Sequence, residues 1–160
     1  MPKTRMFIAC LLISISTAAL TADQDNRQTL SLSEAQRSHV LEEMRALLSG
    51  TQNILAALAT DDMALVAKSA RPLGLGMAHK AEDHMKSVLP KAFMQMGVSL
   101  HQDFDLIATD AESKRDPKLT LRQLGDAMTK CVACHDTYRI STTPASTQPA
   151  QVQKHNHHHH

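Results

Sequence analysis

Apolar residues recur along this chain at steps of three and four, and this spacing limits the fold more than any other feature of the sequence. Such steps place side chains on one face of an α-helix, whereas no segment shows the sustained alternation of a half-buried strand. The first stripe predicts a helix over residues 32–59. It can begin at either of two capping boxes, Ser31 with Glu34 or Ser33 with Gln36. Its apolar residues are Val40, Leu41, Met44, Leu47, Leu48, Ile54, Leu55 and Leu58.

Three further stripes predict three further helices. Asp61 and Asp62 can cap the second, which a stretch rich in Pro and Gly then interrupts. The third spans about residues 91–111. The fourth begins at Pro117, with Asp116 as its cap. Four amphipathic helices with short connections predict an all-α chain folded as an antiparallel four-helix bundle.

The two ends of the chain differ from this helical domain, which we place at residues 31–140. Residues 1–22 have a basic start, an uncharged apolar run and small residues before Asp23, which is typical of a secretory signal peptide. A retained membrane anchor is the alternative, although the run is shorter than the roughly 20 residues of a spanning helix. Residues 23–30 predict an unfolded lead-in. Residues 141–160 predict a disordered tail, and they end in a histidine run that is either native or a purification tag.

Composition narrows the possible functions and the possible cores. The formal net charge is +1, which disfavours nucleic acid as a partner. Aromatic residues make up 2% of the chain, and there is no Trp. A chain this poor in aromatic side chains needs either close helix packing or another large apolar object to fill its core.

One short motif on the fourth stripe carries the chemistry, and it reads Cys131-x-x-Cys134-His135. The remaining cysteine of the chain, Cys10, lies in the predicted signal peptide, so the mature protein keeps only Cys131 and Cys134. Residues three and four apart share one face of a helix, so both thiols can reach the vinyl edge of one porphyrin while His135 binds its iron. Cys-x-x-Cys-His is the signature of covalent haem attachment. We therefore predict one haem c, with His135 as the proximal iron ligand.

Three other uses of these cysteines fit the sequence less well. Zinc requires further Cys or His ligands at matching spacing, and a second cysteine pair is missing. A thioredoxin-like redox pair requires a βαβ context, whereas this pattern is helical. A disulfide between Cys131 and Cys134 encloses so few residues that it adds little stability.

The nine residues from Cys131 to Arg139 (Cys-Val-Ala-Cys-His-Asp-Thr-Tyr-Arg) resemble the C-terminal end of cytochrome c-prime and its low-spin relatives, the class II c-type cytochromes. The resemblance covers roughly Ser31 to Arg139. Its motif is specific, and the remainder matches only in helix lengths and apolar pattern. The resemblance implies a four-helix bundle with the haem between helices near one end, and a distal residue supplied by the first helix.

The resemblance places Met44 at the position of that distal residue. If the Met44 sulfur binds the iron, the haem is low-spin and suited to electron transfer, and Met/His ligation raises its potential. The alternative is a core methionine that only fills space. The iron then keeps an open position, which an apolar neighbour such as Leu41 covers and which can bind NO or CO.

Two residues that follow the motif complete the predicted site. Arg139 follows the proximal histidine by four residues, so we expect it near the haem propionates; a solvated surface arginine is the alternative. Tyr138 is expected to pack against the haem edge or the bundle. Elsewhere, the sequence favours a solvated His39 and a surface pair between His101 and Asp105.

These observations predict a periplasmic one-electron carrier that exchanges electrons with redox partner proteins. It is not expected to be an enzyme, because a haem peroxidase needs a polar acid or base beside the iron and the stripe around Met44 offers none. The alternative function is a five-coordinate protein that binds a small gas. No stable membrane insertion is expected after removal of the signal peptide. A homodimer is possible, because Gly50 permits close approach of helices from two chains. Gly50 can equally pack inside one bundle.

Overall fold

The computed structural model describes residues 25–78 and 85–142. The chain is mostly helical, which confirms the predicted all-α class. Four of its described helices have eight residues or more: α1 (Glu34–Leu58), α2 (Met63–Ala70), α3 (Lys91–Ser113) and α4 (Pro117–Thr137). A 3₁₀ turn (Arg71–Leu73) and a single helical turn (Leu75–Ala78) follow α2. Two short strands, β1 (Gln28–Leu32) and β2 (Tyr138–Thr142), flank the helices.

The helix starts follow from side chains that satisfy the first free amides. At α1 the second of the two predicted capping boxes forms: Gln36 N donates to Ser33 Oγ at 3.3 Å, and Ser33 N donates to Gln36 Oε1 at 2.9 Å. At α2 the Asp62 carboxylate accepts from Leu65 N at 2.9 Å. Three of the four helix starts thus carry the predicted residues, since Asp116 also caps α4 ahead of its proline.

The helices pack in sequence, with α2 against both α1 and α3, and α3 against α4. The core between them is aliphatic and includes fully buried Ile54, Val66 and Ile107. The interruption after α2 is fixed by α3, because the Asp105 carboxylate accepts from Leu75 N at 2.9 Å. Gly74 lies so close to that carboxylate that a side chain at this position has no room.

The strands were not predicted. β1 pairs with β2 in parallel, from Gln28 with Tyr138 to Leu32 with Thr142. Gln28–Leu32 falls largely in the stretch predicted to be an unfolded lead-in, and β2 runs two residues past the predicted domain end, so both boundaries require correction. The physical reason is burial of alternate residues: Leu30 and Leu32 point inward, where they form a second core cluster with Val40, Met85 and Tyr138. Two alternating residues are too short a pattern to stand out in the sequence.

Several predictions concern residues that lie outside the described part of the chain. They are the signal peptide at residues 1–22 and most of the tail, residues 143–160 with the terminal histidine run. Among the residues that the structure does describe, no helix has both the length and the apolar character needed to cross a membrane.

Candidate functional site

A cavity of about 430 Å³ lies where α1, α3 and α4 face one another. Residues of the segment between α2 and α3, such as Met85, complete its wall. The lining is mainly apolar and rich in methionine, a side chain whose flexibility suits irregular surfaces. A cavity of this size falls within the usual range for small-molecule and cofactor sites.

The motif on α4 contributes three residues to this wall, because Cys131, Cys134 and His135 all line the cavity. Both cysteines are free thiols and half-buried, and burial raises the pKa of each. The Cys131 thiol donates to the Ala127 carbonyl at 3.7 Å. Cys131 packs against the main core and Cys134 against the second cluster, so the pair spans the junction of the two.

The carboxyl end of α4, which carries His135, is held from outside the helix. Tyr138 N donates to the Cys134 carbonyl and closes the last turn. Arg27 Nη1 donates to the His135 carbonyl at 3.3 Å. A helix end leaves its last carbonyls without intrahelical donors, so a guanidinium there is favourable both as a donor and as a charge near the negative end of the helix dipole. The segment before α1 therefore helps to fix the backbone of the predicted proximal ligand.

Met44 lies on the wall that α1 contributes, and it is half-buried. Met44 packs against both core clusters. The two cysteines of α4 contact the same two clusters, one cysteine at each. Val40 and Leu47, one turn away on each side, line the same cavity. Leu41, the predicted apolar cover, is not one of the lining residues.

The two residues predicted beside the motif lie differently from each other. Tyr138 is buried, and its ring meets the Phe93 ring edge to face with centroids 5.2 Å apart. Because Phe93 lines the cavity, Tyr138 supports the wall from behind. Arg139 is exposed, pairs with Asp25 at 3.8 Å and does not line the cavity. The structure therefore places Arg139 at the surface.

Sequence reasoning missed the polar side chains of the cavity wall. His101 was predicted at the surface with Asp105, and this is wrong: it is 6% exposed, and its Nδ1 lies 2.6 Å from the Leu73 carbonyl oxygen. His39 is not fully solvated either, since it lines the cavity with Nε2 3.4 Å from a Glu43 carboxylate oxygen. The signal for His101 was its place next to Leu100 on the buried stripe of α3.

Two histidines of the cavity wall interact electrostatically with Glu43. Burial raises the pKa of Glu43, and the neighbouring His39 and His101 partly offset that rise. Glu43 also stands beside Met44, so the premise that no polar residue flanks the predicted distal position is wrong. On the α4 wall, Lys130 pairs with Asp103 and donates to the Ser99 carbonyl at 3.2 Å.

Comparisons with protein-family models, with curated proteins and with solved structures found no match. Interpretation of the site therefore depends on its own residues. Within residues 25–78 and 85–142, no group of three or more His, Cys, Asp or Glu is placed to hold a metal ion. The grouping of two thiols and an imidazole on an apolar cavity is the distinctive feature.

Proposed function

We propose that this chain is a periplasmic monohaem c-type cytochrome that carries single electrons between redox partner proteins. One observation carries the proposal: Cys131, Cys134 and His135 line a single apolar cavity whose α1 wall presents Met44. The motif alone predicts haem attachment. The cavity supplies the second requirement, an apolar space next to the motif that a porphyrin needs.

The residues present fit a covalent haem. The two thiols would each add to a vinyl group, with the sulfur bonding one vinyl carbon and the thiol proton passing to the other. His135 would bind the iron through an imidazole nitrogen, and it stands on the same wall as the thiols. When bound, haem supplies the one-electron couple between ferric and ferrous iron.

Met44 is the proposed sixth ligand. A thioether is a soft, neutral donor, and its neighbours one turn away on the cavity wall, Val40 and Leu47, are apolar. Met/His ligation in such a setting favours a low-spin iron with a raised potential. A filled sixth position also suits electron transfer, because no substrate needs to reach the iron.

The proposed architecture is an antiparallel four-helix bundle with the haem between α1 and α4. The packing of α1 on α2, α2 on α3 and α3 on α4 supports this architecture. A group bound in the cavity would then join its α1 and α4 sides. Tyr138 supports the wall next to the motif through Phe93.

A five-coordinate protein that binds NO or CO is the second candidate. The observation in its favour is the set of apolar side chains that α1 presents to the cavity, since Val40, Leu47 and Leu48 can cover an open iron as well as a thioether can fill it. We propose no enzymatic activity. Glu43 is the polar neighbour of Met44, but its carboxylate already contacts His39 in the cavity wall.

The deciding experiment is optical spectroscopy of the purified mature protein, with and without CO. We expect one haem per chain that stays attached after denaturation in acidic organic solvent, a low-spin ferric spectrum, and a weak band near the red end of the visible range that reports the sulfur–iron bond. Poor CO binding by the ferrous form is expected as well. A haem that the solvent extracts would refute covalent attachment, and a high-spin protein that binds CO at once would replace electron transfer by gas binding.

A further inference from the structure

His101 lies in the wall of the cavity, although the sequence favoured a surface position. Its side chain is 6% exposed and belongs to the lining of the cavity. It enters from α3, a different helix from those that carry Met44 and His135. The cavity therefore presents candidate axial donors from three helices.

The hydrogen bond of His101 fixes which ring nitrogen carries the proton. Nδ1 lies 2.6 Å from the Leu73 carbonyl oxygen, and a carbonyl oxygen can only accept, so Nδ1 must be the donor. In the neutral imidazole the other nitrogen, Nε2, then keeps its lone pair. Histidines that bind metals are held in the same way, with one ring N–H donated to a carbonyl and the other nitrogen used as the ligand.

His39 also lines the cavity, and it enters from α1. Its Nε2 faces the Glu43 carboxylate at 3.4 Å. The two residues thus provide a matched pair within one cavity: a histidine whose accepting nitrogen is set by a backbone carbonyl, and a histidine whose Nε2 is directed to an acid.

We propose that His101 is a second axial ligand, which binds the haem iron through Nε2 when the Met44 sulfur does not. This inference rests on the proposed function, because it requires a haem in the cavity. The hydrogen bond to Leu73 can persist in both states, since it uses the other ring nitrogen. Replacement of a thioether by an imidazole removes the donor that raises the potential of Met/His haems, so the potential falls.

The test compares haem-loaded variants by optical and electron paramagnetic resonance spectra, CO binding and reduction potential. Met44→Ala should lose the sulfur–iron band, remain low-spin and shift to a lower potential. Met44→Ala/His101→Gln should become high-spin and bind CO quickly. Glutamine keeps an N–H donor for the Leu73 carbonyl, so the second substitution tests ligation with the hydrogen bond preserved.

Two controls complete the design. Met44→Ala/His39→Gln should stay low-spin, and His101→Gln alone should keep the sulfur–iron band. A high-spin Met44→Ala variant that still carries covalent haem would overturn the inference about His101 and leave haem attachment intact. Loss of the low-spin spectrum in His101→Gln alone overturns the proposed order of the two ligands. A wild-type protein without covalent haem contradicts the proposed function itself.

Discussion

The two halves of the helical domain use the same helices in opposite ways. In the packed half, residues 50–58 of α1 meet α2, residues 104–111 of α3 and the middle of α4, and mainly aliphatic side chains fill the space between them. In the cavity half, near the strands, the same helices surround about 430 Å³ that side chains leave open. One amphipathic pattern can therefore specify either a filled core or an open cavity, and the residues that face inward decide which.

The largest expected effect concerns the cavity half. Replacing both Cys131 and Cys134 by Ala should abolish covalent haem attachment, because both thioether sulfurs are then missing. We expect the cavity half to lose tertiary order while the packed half stays protected, which amide hydrogen exchange can resolve. The matched control is Val132→Ala, an exposed substitution within the same motif, which should leave attachment intact.

The packed half should respond strongly to loss of side-chain volume. Ile107 is fully buried, so Ile107→Ala should lower the free energy of unfolding by about 2–5 kcal/mol. Its neighbour Leu106 is 51% exposed, so Leu106→Ala should change that free energy by less than about 0.5 kcal/mol. Denaturant unfolding of the haem-loaded variants measures both. Equal costs at the two positions would contradict the assigned orientation of α3.

A pair of helical glycines tests the junction between the halves. Gly50 lies so close to the buried Leu73 that an added methyl group must displace the leucine side chain. For Gly50→Ala, overpacking should lower the free energy of unfolding by about 1–3 kcal/mol. The gain in helix propensity should offset about 1 kcal/mol of that loss. Gly125 has open space, so Gly125→Ala should stabilise the protein by up to about 1 kcal/mol. Opposite signs in thermal unfolding are the expected result; stabilisation at both sites would mean that Leu73 relaxes freely.

The smallest effect concerns the strand end of the cavity half. The Arg27 guanidinium holds the pKa of Asp25 well below its ordinary value of 3.8. A lowered carboxyl pKa stabilises the fold above the unfolded pKa, and this contribution is lost as the pH falls through the folded pKa. The protection of β1 amides against exchange, corrected for the intrinsic rate at each pH, should therefore fall between about pH 5 and about pH 2 more steeply in the wild type than in Asp25→Asn. Identical pH profiles would mean that the pair does not hold the strand.

What the sequence could predict was local. The caps at Ser33, Asp62 and Asp116 satisfy amides within four residues of themselves, so short motifs were enough to locate the helix starts. The Cys-x-x-Cys-His motif is equally local, and the structure does place Cys131, Cys134 and His135 on one cavity.

What it could not predict depends on distant partners. The inward side chains of β1 require β2, and the burial of His101 requires the Leu73 carbonyl from another element. From its spacing to His135, Arg139 was expected near the haem propionates; the chain turns from helix to strand at Tyr138, and the exposed Arg139 pairs with Asp25. Periodicity within one helix contains no information about where the next element directs a side chain.

The parallel pairing of β1 with β2 also has a kinetic consequence. Gln28 pairs with Tyr138, so the pairing closes a loop that contains nearly the whole helical domain, and it cannot form until the end of that domain is available. Contacts with such long sequence separation carry a high closure entropy and form late in folding. The motif cysteines precede β2 by only a few residues. Cys131, Cys134 and β2 thus become available together, and the pairing of β1 with β2 can form only after the helical domain has been synthesised.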